Sequence, residues 1–291
     1  MIDGLPRFTS PNGLSVNERI DIKPKHIVIA TGSSPQKPAI EGFDGEMLAP
    51  DTILNLNECP DSLAVLGATA VGLELAQAFH RLGAAVTVID PESPLPQEDC
   101  ECSTLLLDSL KAQGIGFRKA RPVRAAKSGD TIEIELDSGA GGLSVGHILA
   151  ANGSEPAIGD LDLETGGVAT QGARVLVDDH QRSSNPKVFA IGEAVGAASI
   201  QAANQHAAIV VRNALRNAGA AADSDVVPRV IFTDPEFAHV GLDEARARAR
   251  HRAIRVLRWP FHENDRARAE GDGAGHVKLV TLADGTIVGA T

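Results

Sequence analysis

Apolar segments and amphipathic segments alternate through the middle of the chain. Apolar runs at residues 63–67 and 85–90 predict buried strands, and the spacing of apolar residues over about 70–82 and 103–113 predicts helices. Strands that are apolar throughout and alternate with helices are typical of a parallel sheet covered on both faces. The pattern therefore predicts an α/β fold, with a short antiparallel insertion at residues 131–149.

Different patterns flank this region. The segments "HIVIATG" (26–32) and "VFAIGEA" (188–194) are short apolar runs that end near a glycine, which indicates two more buried strands. The second run precedes a helix that we expect to end at Gly219. After residue 228, a helix capped by Asp243 and several apolar runs predict an α+β unit with an antiparallel sheet.

The composition narrows the class of protein. The 291 residues carry a formal net charge of -11, which disfavours binding to the phosphate backbone of a nucleic acid. No apolar run approaches the ~20 residues needed to cross a membrane, and the first residues lack the pattern of a secretory signal. We therefore expect a cytoplasmic protein that binds neither nucleic acid nor membrane.

Cysteines and histidines show no pattern of a disulfide framework or of a metal site. Cys59, Cys100 and Cys102 are an odd, sparse set, and the nine histidines have no metal-ligand spacing. Cys100 and Cys102 lie at the start of a predicted helix, where a structural role is favoured over a redox or metal-binding pair. The sequence therefore predicts no metal site.

The segment "SLAVLGATAVGLELAQAFHRLGAAVTVID", residues 62–90, has the order of a dinucleotide-binding unit: strand, glycine turn, helix, strand and acid. Gly67 suits the tight turn after the first strand, and Gly72 suits close packing of the helix against that strand. At the helix start, Ala70 and Val71 can turn free amides toward a pyrophosphate, assisted by the helix dipole. We therefore predict that these residues bind a dinucleotide.

Two further residues bear on which dinucleotide fits and how tightly. Thr69 stands where the middle glycine is usual, so its side chain must point away or the phosphates must shift, and we expect reduced affinity. Asp90 ends the second strand, where a carboxylate hydrogen-bonds a ribose 2'-hydroxyl, and no Arg or Lys follows directly to receive a 2'-phosphate. The spacing favours NAD over NADP. The alternative is an ordinary βαβ unit that binds nothing.

Six segments of the chain, taken in order, resemble the flavoprotein pyridine nucleotide-disulfide oxidoreductases, the group of dihydrolipoamide dehydrogenase, glutathione reductase and mercuric reductase. The segments are "HIVIATGSSPQKPAI", "GATAVGLELAQAFHRLGAAVTVID", "SNPKVFAIGEAVG", "AAIVVRNAL", "VIFTDPEFAHVGL" and "ENDRARAEGDGAGHVKLV". They cover nearly the whole chain. The late segments resemble most the mercuric reductase and dihydrolipoamide dehydrogenase branch.

The resemblance implies a fold class and a domain organisation. The fold is a Rossmann-like NAD-binding domain together with a partial FAD-binding domain and a partial α+β dimerisation domain. The implied boundaries are residues 1–45 for a first FAD-domain segment, 46–168 for the NAD domain, 169–222 for a second FAD-domain segment and 223–291 for an incomplete dimerisation domain. A homodimer would form through residues 226–291.

The resemblance also implies site residues that the pattern alone does not identify. Thr31 and Gly32 would lie close to the flavin nucleotide, and Gly192 with Glu193 would bind the FAD ribityl chain, although the family usually has Asp at the second position. Gly153 would close the NAD pocket. A last residue, Glu74, would support a partner on the flavin side.

The implied chemistry is hydride transfer between NAD(H) and FAD, with electrons passing to a disulfide or a metal ion. We expect a portion of such an enzyme, because the family's FAD-binding glycine loop, its redox cysteine pair and its C-terminal catalytic His match no segment here. Cys100 and Cys102 have the wrong spacing to replace that pair. Whether this chain alone is an enzyme, or holds FAD, is left open. The alternative is a degenerate, non-catalytic module that binds NAD or a partner.

Overall fold

The structure, a computed structural model, describes residues 1–137, 141–197 and 199–291. Residues 138–140, which fall within the predicted antiparallel insertion, lie outside the described part. The described residues form helices α1 (Ala70–Arg81), α2 (Cys100–Ala112), α3 (Ile200–Arg216), α4 (Glu244–Arg250) and α5 (Asp265–Glu270).

The strands are short and numerous. In chain order they are β1 (Pro6–Ser10), β2 (Gly13–Val16), β3 (Ile20–Ile22), β4 (Ile27–Ile29), β5 (Ser33–Pro35), β6 (Ser62–Leu66), β7 (Ala85–Ile89), β8 (Gly116–Arg118), β9 (Pro122–Ser128), β10 (Thr131–Leu136), β11 (Gly142–Val145), β12 (His147–Ala150), β13 (Ser154–Pro156), β14 (Thr170–Gln171), β15 (Arg174–Val175), β16 (Val188–Ala190), β17 (Arg229–Ile231), β18 (Phe237–Gly241), β19 (Ile254–Pro260), β20 (His276–Leu282) and β21 (Ile287–Ala290).

The backbone packs as two compact units. The first unit comprises residues 1–34 and 154–229, and the second comprises residues 35–153 and 230–291. The mixed α/β class predicted from the sequence is confirmed, with a Rossmann-like parallel sheet and a separate antiparallel sheet. The four domain boundaries stay a prediction.

The centre of the second unit is a parallel sheet with the strand order β12-β6-β7-β8. Alternate residues of β6 enter two different cores, because successive side chains of a strand point to opposite faces. Leu63 and Val65 pack with apolar residues of α1 and α2, whereas Ala64 and Leu66 pack with those of the antiparallel sheet β11-β10-β9. The parallel sheet is thus covered on both faces, with helices on one and the predicted insertion on the other.

An antiparallel sheet of five strands, in the order β17-β18-β21-β20-β19, forms the rest of the second unit. Helix α4 packs beside it, and the Asp243 side chain accepts a hydrogen bond from the Arg246 N–H as the N-cap of that helix. Both features match the α+β unit predicted for the end of the chain.

The first unit contains smaller sheets and helix α3. Strands β1, β2 and β3 form an antiparallel ribbon, and β4 pairs with β16 in parallel. The prediction that α3 ends at Gly219 is wrong. The helix ends at Arg216, because Asn217 adopts the left-handed conformation (φ 49°) that terminates a helix two residues earlier. No helix among the described residues is long and apolar enough to cross a membrane.

A buried ammonium group connects α2 to the antiparallel sheet of the second unit. The Lys278 side chain, on β20, is 4% exposed, and its Nζ lies 2.8 Å from Asp99, 3.0 Å from Glu101 and 3.2 Å from Glu244. Arg258, on β19, makes a bidentate ion pair with Glu101. We call these five residues the Lys278 cluster.

The Lys278 cluster keeps its carboxylates ionised, although Asp99 is buried and Glu101 and Glu244 are only partly exposed. Burial opposes ionisation of Asp99, but hydrogen bonds from Lys278 and from the Cys102 N–H hold the pKa of Asp99 below its ordinary value. Hydrogen bonds from Arg258 lower the pKa of Glu101 to about 2, against a desolvation cost. The same three carboxylates raise the pKa of Lys278, although burial acts in the other direction. The ionised state is therefore the stable one throughout the cluster.

Replacing Lys278 tests this cluster directly. We expect Lys278→Met to lower the free energy of unfolding by about 3 kcal/mol, because it leaves Asp99 buried at 5% exposure without its counter-ion. Urea denaturation measures the change, and Lys127→Met, at an exposed position on β9, is the matched control. Equal stabilities of the two variants would contradict the assignment.

The loss of folding stability at low pH tests the same residues independently. The pKa of Glu101 is about 2 in the folded chain against an ordinary 4.5, so its contribution is complete above about pH 4.5 and disappears as the pH falls toward 2. We expect Glu101→Gln to flatten this acid-dependent loss of stability in denaturation series between about pH 5 and about pH 2.5. Glu133→Gln, at an exposed position on β10, should keep the original slope.

Candidate functional site

The glycine turn after β6 packs directly against the end of β12. A Cβ at Gly67 would lie 2.6 Å from the Ala151 carbonyl oxygen, and the Gly67 backbone has φ +108°. A Cβ at Gly72 would lie 2.2 Å from the Gly67 carbonyl oxygen. Only glycine therefore fits at both positions without a steric clash. The two glycines allow the start of α1 to lie close to the carboxyl edge of the sheet.

Thr69 caps helix α1 and turns its side chain toward the sheet. Its hydroxyl oxygen accepts a hydrogen bond from the Gly72 N–H at 3.1 Å and donates one to the Ala151 carbonyl oxygen at 2.7 Å. The hydroxyl therefore caps the first turn of α1 and connects it to the segment after β12; which of the two arrangements a bound dinucleotide would require stays a prediction. Helix geometry leaves the N–H groups of Ala70 and Val71 without an acceptor inside α1.

Asp90 lies at the end of β7, beside the same turn. One carboxylate oxygen accepts from the Ala68 N–H at 2.7 Å, and the other accepts from the Glu92 N–H at 2.8 Å. The Asp90 N–H donates to the Arg118 carbonyl oxygen at the end of β8. The carboxylate therefore fixes the turn, and each oxygen keeps lone pairs for a further donor.

Gly153 belongs to the same edge of the sheet. It follows β12 by three residues, has φ +129°, and its carbonyl oxygen accepts from the Gln36 N–H at 3.0 Å. The structure thus brings the turn, Asp90 and the 151–153 segment to the carboxyl ends of neighbouring parallel strands, where open α/β sheets bind ligands. The sequence pattern did not identify the Ala151 carbonyl as part of the site. It could have been found from the topology, because Ala151 follows a strand that lies beside β6 in the parallel sheet.

The outward face of α1 holds a loop of the antiparallel sheet region. A carboxylate oxygen of Glu74 accepts from the Phe232 N–H at 2.8 Å. The buried Gln77 accepts from the Asp234 N–H and donates to the Asp234 carbonyl oxygen. Arg81 pairs with the Asp234 carboxylate. In this unit Glu74 thus contacts a backbone amide, and its support of a partner on the flavin side stays a prediction.

The predicted flavin-binding residues gather at one edge of the first unit. Thr31 and Gly32 follow β4, and Gly192 and Glu193 follow β16, which is its parallel neighbour. Gly32 (φ +68°) and Gly192 (φ +64°) adopt left-handed conformations, and a Cβ at Gly32 would lie 3.7 Å from a Glu193 carboxylate oxygen. The Glu193 side chain therefore places a carboxylate oxygen near Gly32, at this edge of the unit.

The three cysteines are free thiols, and two of them, Cys59 and Cys100, are exposed. Cys102 is buried, its Sγ lies 3.6 Å from Nε2 of His276, and burial raises the pKa of its thiol to about 12. The first helical turn of α2 contains both Cys100 and Cys102, since α2 begins at Cys100 with Asp99 as its N-cap. In the part of the chain that the structure describes, no group of three or more His, Cys, Asp or Glu residues could hold a metal ion.

Comparison with known proteins identifies the family. The model of the pyridine nucleotide-disulphide oxidoreductases matches residues 6–207, and the model of the dimerisation domain of these proteins matches residues 227–291. The chain therefore belongs to the pyridine nucleotide-disulphide oxidoreductase family, which confirms the resemblance seen in the six sequence segments. Members of this family depend on FAD and bind a nicotinamide nucleotide.

Individual relatives agree with this classification. The chain is 36% identical over 269 residues to dihydrolipoyl dehydrogenase 3 of Pseudomonas aeruginosa, covering 90% of this chain and 58% of that protein. It is 31% identical over 291 residues to mercuric reductase of Bacillus cereus, covering 97% of this chain and 46% of that protein. The chain thus spans about half the length of the curated relatives that it matches.

Solved structures share the fold. The HOCl-induced flavoprotein disulfide reductase RclA from Escherichia coli superposes with a TM-score of 0.87 at 26% identity, over 99% of this chain and 68% of that chain. LpdA from Mycobacterium tuberculosis superposes with a TM-score of 0.88 at 25% identity, over 99% of this chain and 66% of that chain.

Because the turn at Gly67 is tight, the addition of one methyl group at this residue should have a large effect on stability. We expect Gly67→Ala to lower the free energy of unfolding by about 3 kcal/mol, because strain at positive φ adds to a clash with the Ala151 carbonyl. Gly83→Ala is the matched control: Gly83 has φ +111° and nothing within 4 Å of its Cβ position. This control should lose about 1 kcal/mol. If thermal and urea denaturation showed similar losses of stability in the two variants, the clash with the Ala151 carbonyl would not be the cause of the larger effect.

Proposed function

We propose that residues 62–90 and 151–153 bind NAD(H), as part of a flavoprotein oxidoreductase that transfers a hydride between NAD(H) and FAD. The observation that supports this most is the contact of Asp90 with the Ala68 N–H, which holds the acid at the glycine turn. In this position a carboxylate can accept a hydrogen bond from a ribose 2'-hydroxyl, while the free N–H groups of Ala70 and Val71 donate hydrogen bonds to the pyrophosphate. Gly67, Thr69, Gly72 and Gly153 shape this site.

The preference for NAD over NADP follows from charge. The Asp90 carboxylate would repel the 2'-phosphate of NADP, and Glu92, two residues further on, adds a second negative charge. The fixed orientation of Asp90 prevents the carboxylate from turning away without losing its two backbone hydrogen bonds.

The FAD site is proposed at Thr31, Gly32, Gly192 and Glu193. The Glu193 carboxylate lies beside the Gly32 backbone, where it can accept hydrogen bonds from hydroxyl groups of the cofactor. FAD supplies the redox centre when it is bound, and the residues present here bind and orient it. The final acceptor is proposed as a disulfide or a metal ion, as the names dihydrolipoyl dehydrogenase and mercuric reductase suggest for the relatives.

A homodimer is proposed through residues 226–291. The match to the dimerisation domain covers this region. The antiparallel sheet also exposes apolar pairs: Trp259 (56% exposed) lies opposite Val277 (44% exposed) in neighbouring strands, and Leu257 is 52% exposed. Exposed apolar residues that adjoin in this way are typical of a protein interface.

Calorimetric titration of the purified chain with NADH and NADPH tests the nucleotide site. We expect micromolar binding of NADH and weaker binding of NADPH. In Asp90→Asn, NADH should bind about tenfold more weakly and the preference over NADPH should narrow, because the charge that repels the 2'-phosphate is gone. Asp130→Asn, at an exposed turn, is the control. No heat with NADH, NADPH or ADP would refute the proposed site.

A further inference from the structure

The loop that would receive the pyrophosphate and the segment that would close the nicotinamide side of the pocket are in direct contact. The position of a Gly67 Cβ is 2.7 Å from the Asn152 Cα, and that of a Gly72 Cβ is 3.3 Å from the Ala151 Cβ. Two loops separated by about eighty residues in sequence thus share one packing interface. A movement of either loop must displace the other.

One side-chain hydroxyl bridges the two loops. Thr69 donates to the Ala151 carbonyl at 2.7 Å and accepts from the Gly72 N–H at 3.1 Å. Glycine, the usual residue at this position, has no group that could make either hydrogen bond. The hydroxyl therefore adds a specific connection to the van der Waals contact that the glycines already allow.

We propose that Thr69 is a positioning residue for the dinucleotide, a role that rests on the proposed function. By satisfying the Gly72 N–H, its hydroxyl leaves the amides of Ala70 and Val71 as the donors of the first helical turn that face a pyrophosphate. By holding the Ala151 carbonyl, it sets the distance between these amides and the 151–153 segment. Glycine at this position would let the backbone come closer to the pyrophosphate. Thr69 does not allow that approach, but its hydrogen bonds hold the two loops in a fixed position instead.

This arrangement makes the effect of Thr69 depend on the length of the ligand. AMP carries one phosphate and no second ribose, so its binding depends least on the alignment of the two loops. ADP-ribose and NADH carry the second phosphate and the second ribose, so their binding requires both loops in register. Loss of the hydroxyl should therefore weaken the longer ligands selectively.

Titration of the purified chain with NADH, ADP-ribose and AMP tests the proposal in three variants. We expect Thr69→Val to weaken NADH and ADP-ribose about fivefold and to weaken AMP clearly less, because it removes one bridging hydroxyl and keeps the shape. Thr69→Ser, which keeps the hydroxyl, should restore the affinity for NADH. Thr104→Val, which removes an exposed hydroxyl on α2, is the control.

The outcomes separate this role from a structural one. Equal weakening of all three ligands by Thr69→Val, or the same NADH affinity as the unaltered chain, would overturn the proposal, and so would failure of Thr69→Ser to restore binding. If the unaltered chain bound none of the three ligands, the proposed nucleotide site itself would be refuted, and the role of Thr69 with it. Thermal unfolding of each variant reports any loss of stability separately.

Discussion

The close approach of Gly67 to the Ala151 carbonyl is the constraint on which the arrangement of the second unit depends. This contact fixes where α1 begins relative to the carboxyl edge of the parallel sheet. The start of α1 in turn determines which amides are free, and Asp90 holds the turn before the helix through the Ala68 N–H. The candidate nucleotide site is therefore a consequence of backbone packing, and the side chains of Thr69 and Asp90 stabilise a geometry that the glycines make possible.

Helix α1 extends this constraint to the antiparallel sheet region. Glu74, Gln77 and Arg81 lie three or four residues apart, so they share one face of the helix. All three contact the loop of residues 232–234, and two of them do so through the backbone of that loop. Because side-chain to backbone contacts fix a loop whatever its own side chains are, the position of this loop is set by the same helix that presents the nucleotide turn.

Much of the fold follows from the sequence because its signals are local. Strands β6 and β7 and helix α1 were predicted nearly to the residue, since the strands are apolar runs and the apolar residues of α1 recur at helical spacing after a glycine turn. The end of α3 was not, because Asn217 and Gly219 both adopt the left-handed conformation, and the helix ends before Asn217, the earlier of the two. Asn213, on the last turn of α3, exchanges hydrogen bonds with Ala220, and these bonds bring the chain back immediately after Asn217.

The parts of the site that escaped prediction are long-range contacts. The sequence pattern identified Thr69 as a departure from glycine, but not its partner Ala151, because that contact depends on β12 lying beside β6. The Lys278 cluster was missed for the same reason: its acids lie at the start of α2 and on α4, its cations lie on β19 and β20, and nothing in their spacing relates them.

A buried ion cluster gains little over an apolar core, since the desolvation cost is close to the Coulomb attraction. Its advantage is that a shift in the register of strand β20 would cost free energy. If β20 shifted by one residue, Lys278 would turn to the other face of the sheet and leave Asp99 buried without a cation. An apolar contact between α2 and β20 would tolerate such a shift more easily, whereas three carboxylates around one ammonium group define a single alignment. The cluster thus complements the glycine contact: Gly67 fixes α1 on the parallel sheet, and Lys278 fixes α2 on the antiparallel one.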